Sequence, residues 1–158
     1  MNRNKAKNTQ SGNTMIETAF ILVPFFALML GVVDFSLTVF LKSTLQSAVN
    51  EGLRYAVSAQ TLPGKCQEES IKQVVAGNAM GFLSGTRAKT IAINYYSFND
   101  LSRPVLGPTG NQPGNVVEVV VQNYTWNWLA FGRDPLHISA FAADRMEGRS
   151  GSSSQPCR

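Results

Sequence analysis

The feature that most constrains this chain is an apolar run from Met15 to Leu41, in which Glu17 and Asp34 are the only charged residues. Residues 18–33 carry no charge at all. A membrane-spanning helix needs about 20 mostly apolar residues, and this run is long enough to supply them. A secretory signal peptide is the rival interpretation, but its apolar core is usually only about 7–15 residues long and ends at a small-residue cleavage site. The run is longer, lacks such a site and has Glu17 at its front, so we predict a membrane helix.

The helical pattern continues beyond the apolar run, but its surface changes. Apolar residues then follow one stripe at helical spacing, while charged and amide side chains lie off it. The stripe contains Leu37, Leu41, Leu45, Ala48, Val49, Gly52, Leu53 and Ala56. We therefore predict one helix over residues 15–58, roughly 65 Å long at 1.5 Å per residue. Its first half, about 15–41, should meet lipid or other helices, and its second half, about 42–58, should pack against a domain of the same chain.

The rest of the sequence predicts a small α+β domain over residues 61–147. Leu62-Pro63-Gly64 ends the long helix, and Glu68–Leu83 shows a weaker helical pattern. Alternating or valine-rich stretches at residues 89–98, 115–128 and 136–145 predict strands, and short loops favour antiparallel pairing. The expected fold class is thus α+β: a long N-terminal membrane-embedded helix (13–60), then one helix and a roughly three-stranded antiparallel sheet, with a flexible tail over 148–158.

Positive charge is concentrated at the N terminus. Arg3, Lys5 and Lys7 lie in residues 1–12, which contain no acid, so this polar segment carries most of the net charge of +4. Nucleic-acid binding would need a basic stripe on the folded domain, and we predict no nucleic-acid partner. A basic segment ahead of a membrane helix stays in the cytoplasm by the positive-inside rule, which places the domain on the opposite side.

The sequence offers little for catalysis or metal binding. His137 is the single histidine, and neither Cys66 nor Cys157 has a histidine near it. We find no nucleophile–base pair, no paired carboxylates and no phosphate-binding glycine loop, and we predict no enzyme activity, no cofactor and no metal site. On the oxidising side of a membrane the two cysteines could form one disulfide, although two unpaired thiols fit the spacing equally well.

The junction between the basic segment and the helix carries a second pattern. Gly12 ends the basic leader, and Glu17 is the fifth residue of the segment that begins at Asn13. This arrangement resembles the processing site of type IV prepilins, where prepilin peptidase, a membrane aspartyl protease, cuts after the glycine. The resemblance implies that leader 1–12 is removed and that the mature chain starts at Asn13. Because a carboxylate in hydrocarbon is costly, Glu17 is expected to pair with the new α-amino group of a neighbouring subunit; placement at the headgroup level is the alternative.

Three further segments extend this resemblance. They are Glu17–Pro24 (ETAFILVP), Leu30–Phe35 (LGVVDF, with Gly31 and Asp34) and Asn50–Ala56 (NEGLRYA, with Glu51, Gly52, Arg54 and Tyr55). Together with Arg145-Met146-Glu147 they resemble the TadE-like family, the pseudopilins of the tight-adherence (Tad/Flp) pilus system. Thr18 stands where major Flp pilins usually have tyrosine, and the chain is far longer than those pilins. Both departures imply a minor pseudopilin.

The resemblance implies a structural function. The chain would sit in the bacterial inner membrane with its N terminus cytoplasmic and its domain periplasmic, and after processing it would take part in the assembly, initiation or tip of an extracellular Tad/Flp pilus used for surface adhesion and biofilm formation. Its implied partners are other pilin subunits, prepilin peptidase, the inner-membrane assembly platform and the lipid bilayer. The alternative is an uncleaved bitopic inner-membrane protein with an extracytoplasmic binding domain.

Several single residues allow two interpretations. Pro24 removes one helical hydrogen bond and should kink the helix, or it is merely tolerated in a membrane helix. Ala27 and Gly31 offer a small face for helix packing, or are ordinary small residues. Asp34 lies roughly 25 Å along the axis from Glu17, which places it near the outer headgroups. The aromatic residues Trp126, Trp128 and Phe131 are expected to pack in the core rather than at a subunit contact.

Overall fold

The computed structural model describes residues 11–107, 109–129 and 134–147. Two α-helices are followed by a short 3-10 helix and four strands: α1 Ser11–Val57, α2 Gln67–Asn78, the 3-10 helix Gly85–Thr90, β1 Ile91–Ser97, β2 Asp100–Pro104, β3 Val116–Trp126 and β4 Leu136–Arg145. The strands form one antiparallel sheet in the order β2-β1-β3-β4. The predicted fold class is confirmed: a long N-terminal helix precedes a small α+β domain.

The N-terminal helix α1 is one uninterrupted element of 47 residues. It begins at Ser11, four residues before the predicted start, and ends at Val57. Hydroxyl residues inside it do not disturb the helix, because Thr18 and Ser36 donate hydrogen bonds to the backbone carbonyls four residues earlier. Beyond Val57 the chain turns at Ala59, whose positive φ of 50° and N–H bond to a carbonyl of the last turn end the helix.

The second helix is shorter than the pattern indicated. The prediction covered Glu68–Leu83, whereas α2 ends at Asn78. Met80 and Gly81 both have positive φ, 49° and 85°, and a right-handed helix cannot continue through such residues. Leu83 lies beyond the helix and is nevertheless fully buried, which explains why its position matched the helical apolar pattern.

The sheet contains the three predicted strands and one more. Strand β2 is a short edge strand whose five residues are all exposed, and it pairs irregularly with β1. Its last residue, Pro104, is tolerated because an edge strand needs fewer backbone donors. The predicted apolar face of β3 is confirmed, since Val117, Val119 and Val121 are fully buried.

One face of the sheet is covered by α2 and by the second half of α1. The α1 side chains Leu41, Leu45 and Val49 are fully buried in the same core as Tyr95 and Ile138 from the sheet. Burying an aliphatic side chain of this size contributes about 1.5–3 kcal/mol. The predicted stripe on the second half of α1 is therefore the surface that attaches the domain to the helix.

Candidate functional site

The first half of α1 is the largest apolar surface of the described molecule. Every large hydrophobic residue from Met15 to Val33 is exposed, with Phe20 at 77%, Leu28 at 74% and Val23 at 69%. The helix is long and apolar enough to cross a membrane, and only 6% of its most apolar window is buried. A core helix of a soluble domain would be mostly buried, so this surface requires another apolar environment.

The domain begins to cover α1 at Asp34. None of residues 14–33, here called the exposed segment, is buried, whereas Asp34 is only 2% exposed. About 20 residues at 1.5 Å each give the exposed segment a length of roughly 30 Å, which equals the hydrocarbon thickness of a bilayer. The fold thus leaves enough described helix free of the domain to span a membrane.

Asp34 joins the helix to the connection between β3 and β4. Its Oδ1 accepts a hydrogen bond from the backbone N–H of Leu129 at 3.0 Å. Among the described residues it is the only acidic or basic side chain that is buried, and a carboxylate is stable there only when such donors replace water. The position of Asp34 in the sequence predicts a place near the outer headgroups; the structure adds that the domain covers it. Its partner lies 95 residues away along the chain.

The residues of the predicted processing site lie at the start of α1. The bond between Gly12 and Asn13 belongs to the first turn of the helix, and the preceding residues 1–10 are outside the described part. Glu17 is exposed and follows the bond by roughly 7 Å along the axis. Pro24 lies inside the uninterrupted helix. Cleavage, the pairing of Glu17 and a bend at Pro24 all stay predictions.

The Asn50–Ala56 segment contains a close helix–helix contact. A Cβ atom built on Gly52 would lie 2.2 Å from Cγ2 of Val75 in α2, so a glycine is required where the two helices touch. Glu51 and Arg54 form an exposed ion pair at 3.4 Å, a kind of contact that contributes little to stability. Tyr55 is partly buried against the core. In this part of the predicted motif, Gly52 has the clearest structural role.

The Arg145-Met146-Glu147 segment closes the end of the sheet. Met146 is 3% exposed; its N–H donates to the carbonyl of Asn115 at 2.8 Å, and its carbonyl accepts from the N–H of Gly114 at 3.1 Å. The guanidinium of Arg145 lies 5.0 Å from the ring centre of Phe98. This segment therefore holds the start of β3 in place.

A buried amide that the sequence analysis missed connects three parts of the domain. Gln67 is fully buried; its Nε2 donates to the carbonyl of Ala56 at 3.3 Å, and its Oε1 accepts from Asn111 at 2.9 Å. The neighbouring Cys66 is not a free thiol. Its predicted partner Cys157 lies outside the described residues, so the pairing stays a prediction. A glutamine next to a cysteine gives no sequence signal for such a role.

The face of the sheet opposite the helices carries a small polar cluster. The Glu118 carboxylate accepts hydrogen bonds from Asn94 at 2.9 Å and from the Tyr96 hydroxyl at 3.1 Å. Burial raises the pKa of Tyr96 above its ordinary value. The hydrogen bond to Glu118 and the negative charge of Glu118 raise the pKa further. In the described ranges no three His, Cys, Asp or Glu side chains approach one another closely enough to hold a metal ion.

The aromatic residues near the end of β3 have different surroundings. Trp126 packs partly buried against the core, as predicted, whereas Trp128 is half-buried and the next residue, Leu129, is 71% exposed. Phe131 lies outside the described residues. The expectation of core packing is therefore confirmed for Trp126.

Comparison with protein families finds a match for the long helix α1. Residues 12–54 match the family model described as TadE-like protein. Comparisons with curated proteins and with solved structures found no match. The matched residues include the exposed segment, Asp34 and Gly52, and they stop before α2 and the sheet. Over residues 12–54, within its long N-terminal helix, this chain is therefore similar to TadE-like proteins, a family associated with the Tad pilus.

Proposed function

We propose that this chain is a minor pseudopilin of a Tad/Flp pilus. It enters the bacterial inner membrane with its N terminus in the cytoplasm, loses residues 1–12 to prepilin peptidase, and then takes part in the assembly, initiation or tip of the pilus. One observation carries the proposal: the exposed segment is free of the domain, is apolar on all sides from residue 19 onward, and carries Glu17 near its start, five residues after Gly12.

The exposed segment cannot be left in water. Its large side chains, among them Phe20, Phe25 and Leu28, are each stabilised by about 1.5–3 kcal/mol when they leave water. Exposing all of them at once would cost on the order of tens of kcal/mol, more than the whole stability of an ordinary domain. Lipid covers the segment in the membrane, and helices of other subunits cover it in a filament. The subunit must therefore pass from the membrane into the filament without exposing this segment to water.

Glu17 supplies a polar partner at the start of this segment. Cleavage after Gly12 creates an α-amino group on Asn13, about one helical turn before the Glu17 carboxylate. A carboxylate surrounded by apolar helices is costly unless it is paired. In a filament, Glu17 pairs with the amino group of a neighbouring subunit, and this pairing sets the axial stagger between helices.

The domain is carried on the outside of such a helix bundle. The second half of α1 uses its buried stripe, from Leu41 to Ala56, for the domain of its own chain. Only the exposed segment is then available to other helices over its whole circumference. This division supports a subunit that presents its domain at the surface of the assembly, where pili mediate adhesion and biofilm formation.

The mature N terminus tests the proposed processing. Mass spectrometry of membrane-extracted protein should find Asn13 first in a strain with prepilin peptidase and Met1 first in a strain without it. Gly12→Val should block the cut, because a branched side chain hinders entry of the backbone into the peptidase. Gly77→Val is the matched control, since no heavy atom lies within 4 Å of a Cβ added there. An intact Met1 in the peptidase-containing strain would favour the uncleaved bitopic alternative.

The role of Glu17 needs a different measurement. Glu17→Gln removes the charge but leaves the cut site intact, so we expect normal processing together with less protein in sheared pili. Glu51→Gln is the control, because Glu51 is an exposed glutamate on the other half of the same helix. Equal recovery of both variants in sheared pili would show that Glu17 does not pair in the filament.

A further inference from the structure

The connection between β3 and β4 reaches further toward the N terminus of α1 than the domain core does. The core meets the helix from Leu41 onward, whereas Leu129 meets it at Asp34. Seven helical residues separate these levels, which is roughly 10 Å along the axis. Among the described residues, the contact of Leu129 with Asp34 therefore lies nearer than the domain core to a membrane that holds the exposed segment.

Two large apolar side chains are exposed at that level. Leu129 is 71% exposed and Phe35, next to Asp34 on the helix, is 67% exposed. A shallow groove between α1 and the start of β4 continues this surface, with Phe35, Val39 and Leu136 in its lining and Lys42 also beside it. Apolar side chains thus continue from the exposed segment onto the domain, beside the polar Thr38, His137 and Ser139 of the same groove.

The charges of α1 set the height of the membrane surface. Residues 18–33 carry no charge and belong in the hydrocarbon layer, and Asp34 is the first acidic residue after them, so the outer boundary of this layer falls near Asp34 and Leu129. Tryptophan prefers this boundary, because its ring is apolar and its N–H is polar, and the half-buried Trp128 precedes Leu129. Lys42 lies about 12 Å higher, on the headgroup side of the boundary.

We propose that Trp128 and Leu129, just after β3, form a lipid-docking surface that rests on the outer leaflet, with both side chains in the interfacial layer. The hydrogen bond from Leu129 to Asp34 holds the connection against the helix at this height. This inference rests on the proposed insertion of the exposed segment into the membrane. The further claim is that the domain contacts the outer leaflet of the bilayer before the subunit enters a filament.

The tryptophans of the protein provide the test, because Trp126 and Trp128 are the only two. The full chain is reconstituted in phosphatidylcholine vesicles that carry a spin label either at the headgroup or deep in the acyl chain. Trp126→Phe leaves Trp128 as the reporter, and Trp128→Phe leaves the core-packed Trp126 as its control. We expect the headgroup label to quench Trp128 roughly twofold more strongly than Trp126, since interfacial indoles lie at that depth.

A third variant separates the two proposals. Phe25→Trp, in a chain without the native tryptophans, reports on the exposed segment and should be quenched by the deep label. If this reporter is not quenched, the membrane insertion itself is wrong. If it is quenched but Trp128 is not, insertion stands and lipid docking is overturned. Protection of Trp128 from aqueous acrylamide that increases with protein concentration would assign the surface to a second copy and would also overturn the proposal.

Discussion

Replacing Gly52 with alanine tests the contact that joins the two helices of the domain. The new Cβ would lie 2.2 Å from Cγ2 of Val75 and 3.8 Å from Cγ2 of Ile71. Carbon atoms in contact are about 3.5–4.0 Å apart, so Val75 or the helix that carries it has to move by more than 1 Å. Valine in a helix has one strongly preferred rotamer and cannot simply rotate away.

The expected loss of stability follows from two opposing contributions. Overpacking a buried site costs about 1–3 kcal/mol, and the short distance places this site at the upper end. Alanine is favoured over glycine inside a helix by about 1 kcal/mol, which offsets part of that cost. We therefore expect Gly52→Ala to lower the free energy of unfolding of the domain by about 2 kcal/mol.

Urea unfolding of the full chain in detergent micelles measures this change. The fluorescence of Trp126, which packs against the core, reports on the domain. With a slope of about 2 kcal/mol per molar urea, the unfolding midpoint should fall by about 1 M. Gly77→Ala is the control, because its added methyl group meets no atom within 4 Å, and its midpoint should stay unchanged or rise slightly.

A second background makes the test specific to the contact. Val75→Ala removes the Cγ2 atom, so Gly52→Ala should there become stabilising by up to about 1 kcal/mol, its helix-propensity gain alone. The change of sign is the critical result. If Gly52→Ala were harmless in the native background, or equally harmful in both, steric exclusion by Val75 would not be the reason for the glycine.

Three further predictions concern other contacts. Asp34→Ala removes the acceptor for the Leu129 N–H and should cost about 1–3 kcal/mol in the same urea assay, with faster hydrogen exchange at the Leu129 amide. Because the pKa of Tyr96 is raised by burial and by Glu118, the folded state keeps the phenol proton more tightly than the unfolded state. This stabilisation is complete below the ordinary pKa of about 10 and is lost as the pH rises through the raised folded value, so native protein should lose more stability than Tyr96→Phe at alkaline pH. Cys66 is not a free thiol and Cys157 is the only other cysteine of the sequence, so if the two pair, iodoacetamide should add no mass to the denatured, unreduced chain.

The sequence predicted the elements whose signal is periodic and long. Two successive patterns, apolar on all sides and then apolar on one stripe, predicted the length of α1 and its division into halves. Alternating apolar residues predicted the two strands Ile91–Ser97 and Leu136–Arg145. Gly52 was placed within a motif, but only the structure shows that Val75 lies against it. That contact joins two helices, and no local pattern contains it.

The features that sequence reasoning missed depend on tertiary contacts or on single backbone angles. Strand β2 has five exposed residues and hence no apolar alternation. The end of α2 depends on the positive φ of Met80, a conformation that an ordinary methionine does not suggest. The partner of Asp34 is a backbone N–H in a distant connection, and a backbone donor leaves no trace in residue types.

Two contacts together fix how much of α1 remains outside the domain. Gly52 locks the helix against α2, and Asp34 binds the β3–β4 connection 18 residues earlier, roughly 27 Å along the axis. Because both ends of the covered part are held, the domain cannot slide along α1. A shift by one helical turn would shorten or lengthen the exposed segment by about 5 Å, a sixth of the hydrocarbon thickness. Under the proposed function, the same exposed length would be offered to lipid before assembly and to neighbouring helices afterwards, as a subunit that exchanges one apolar environment for the other requires.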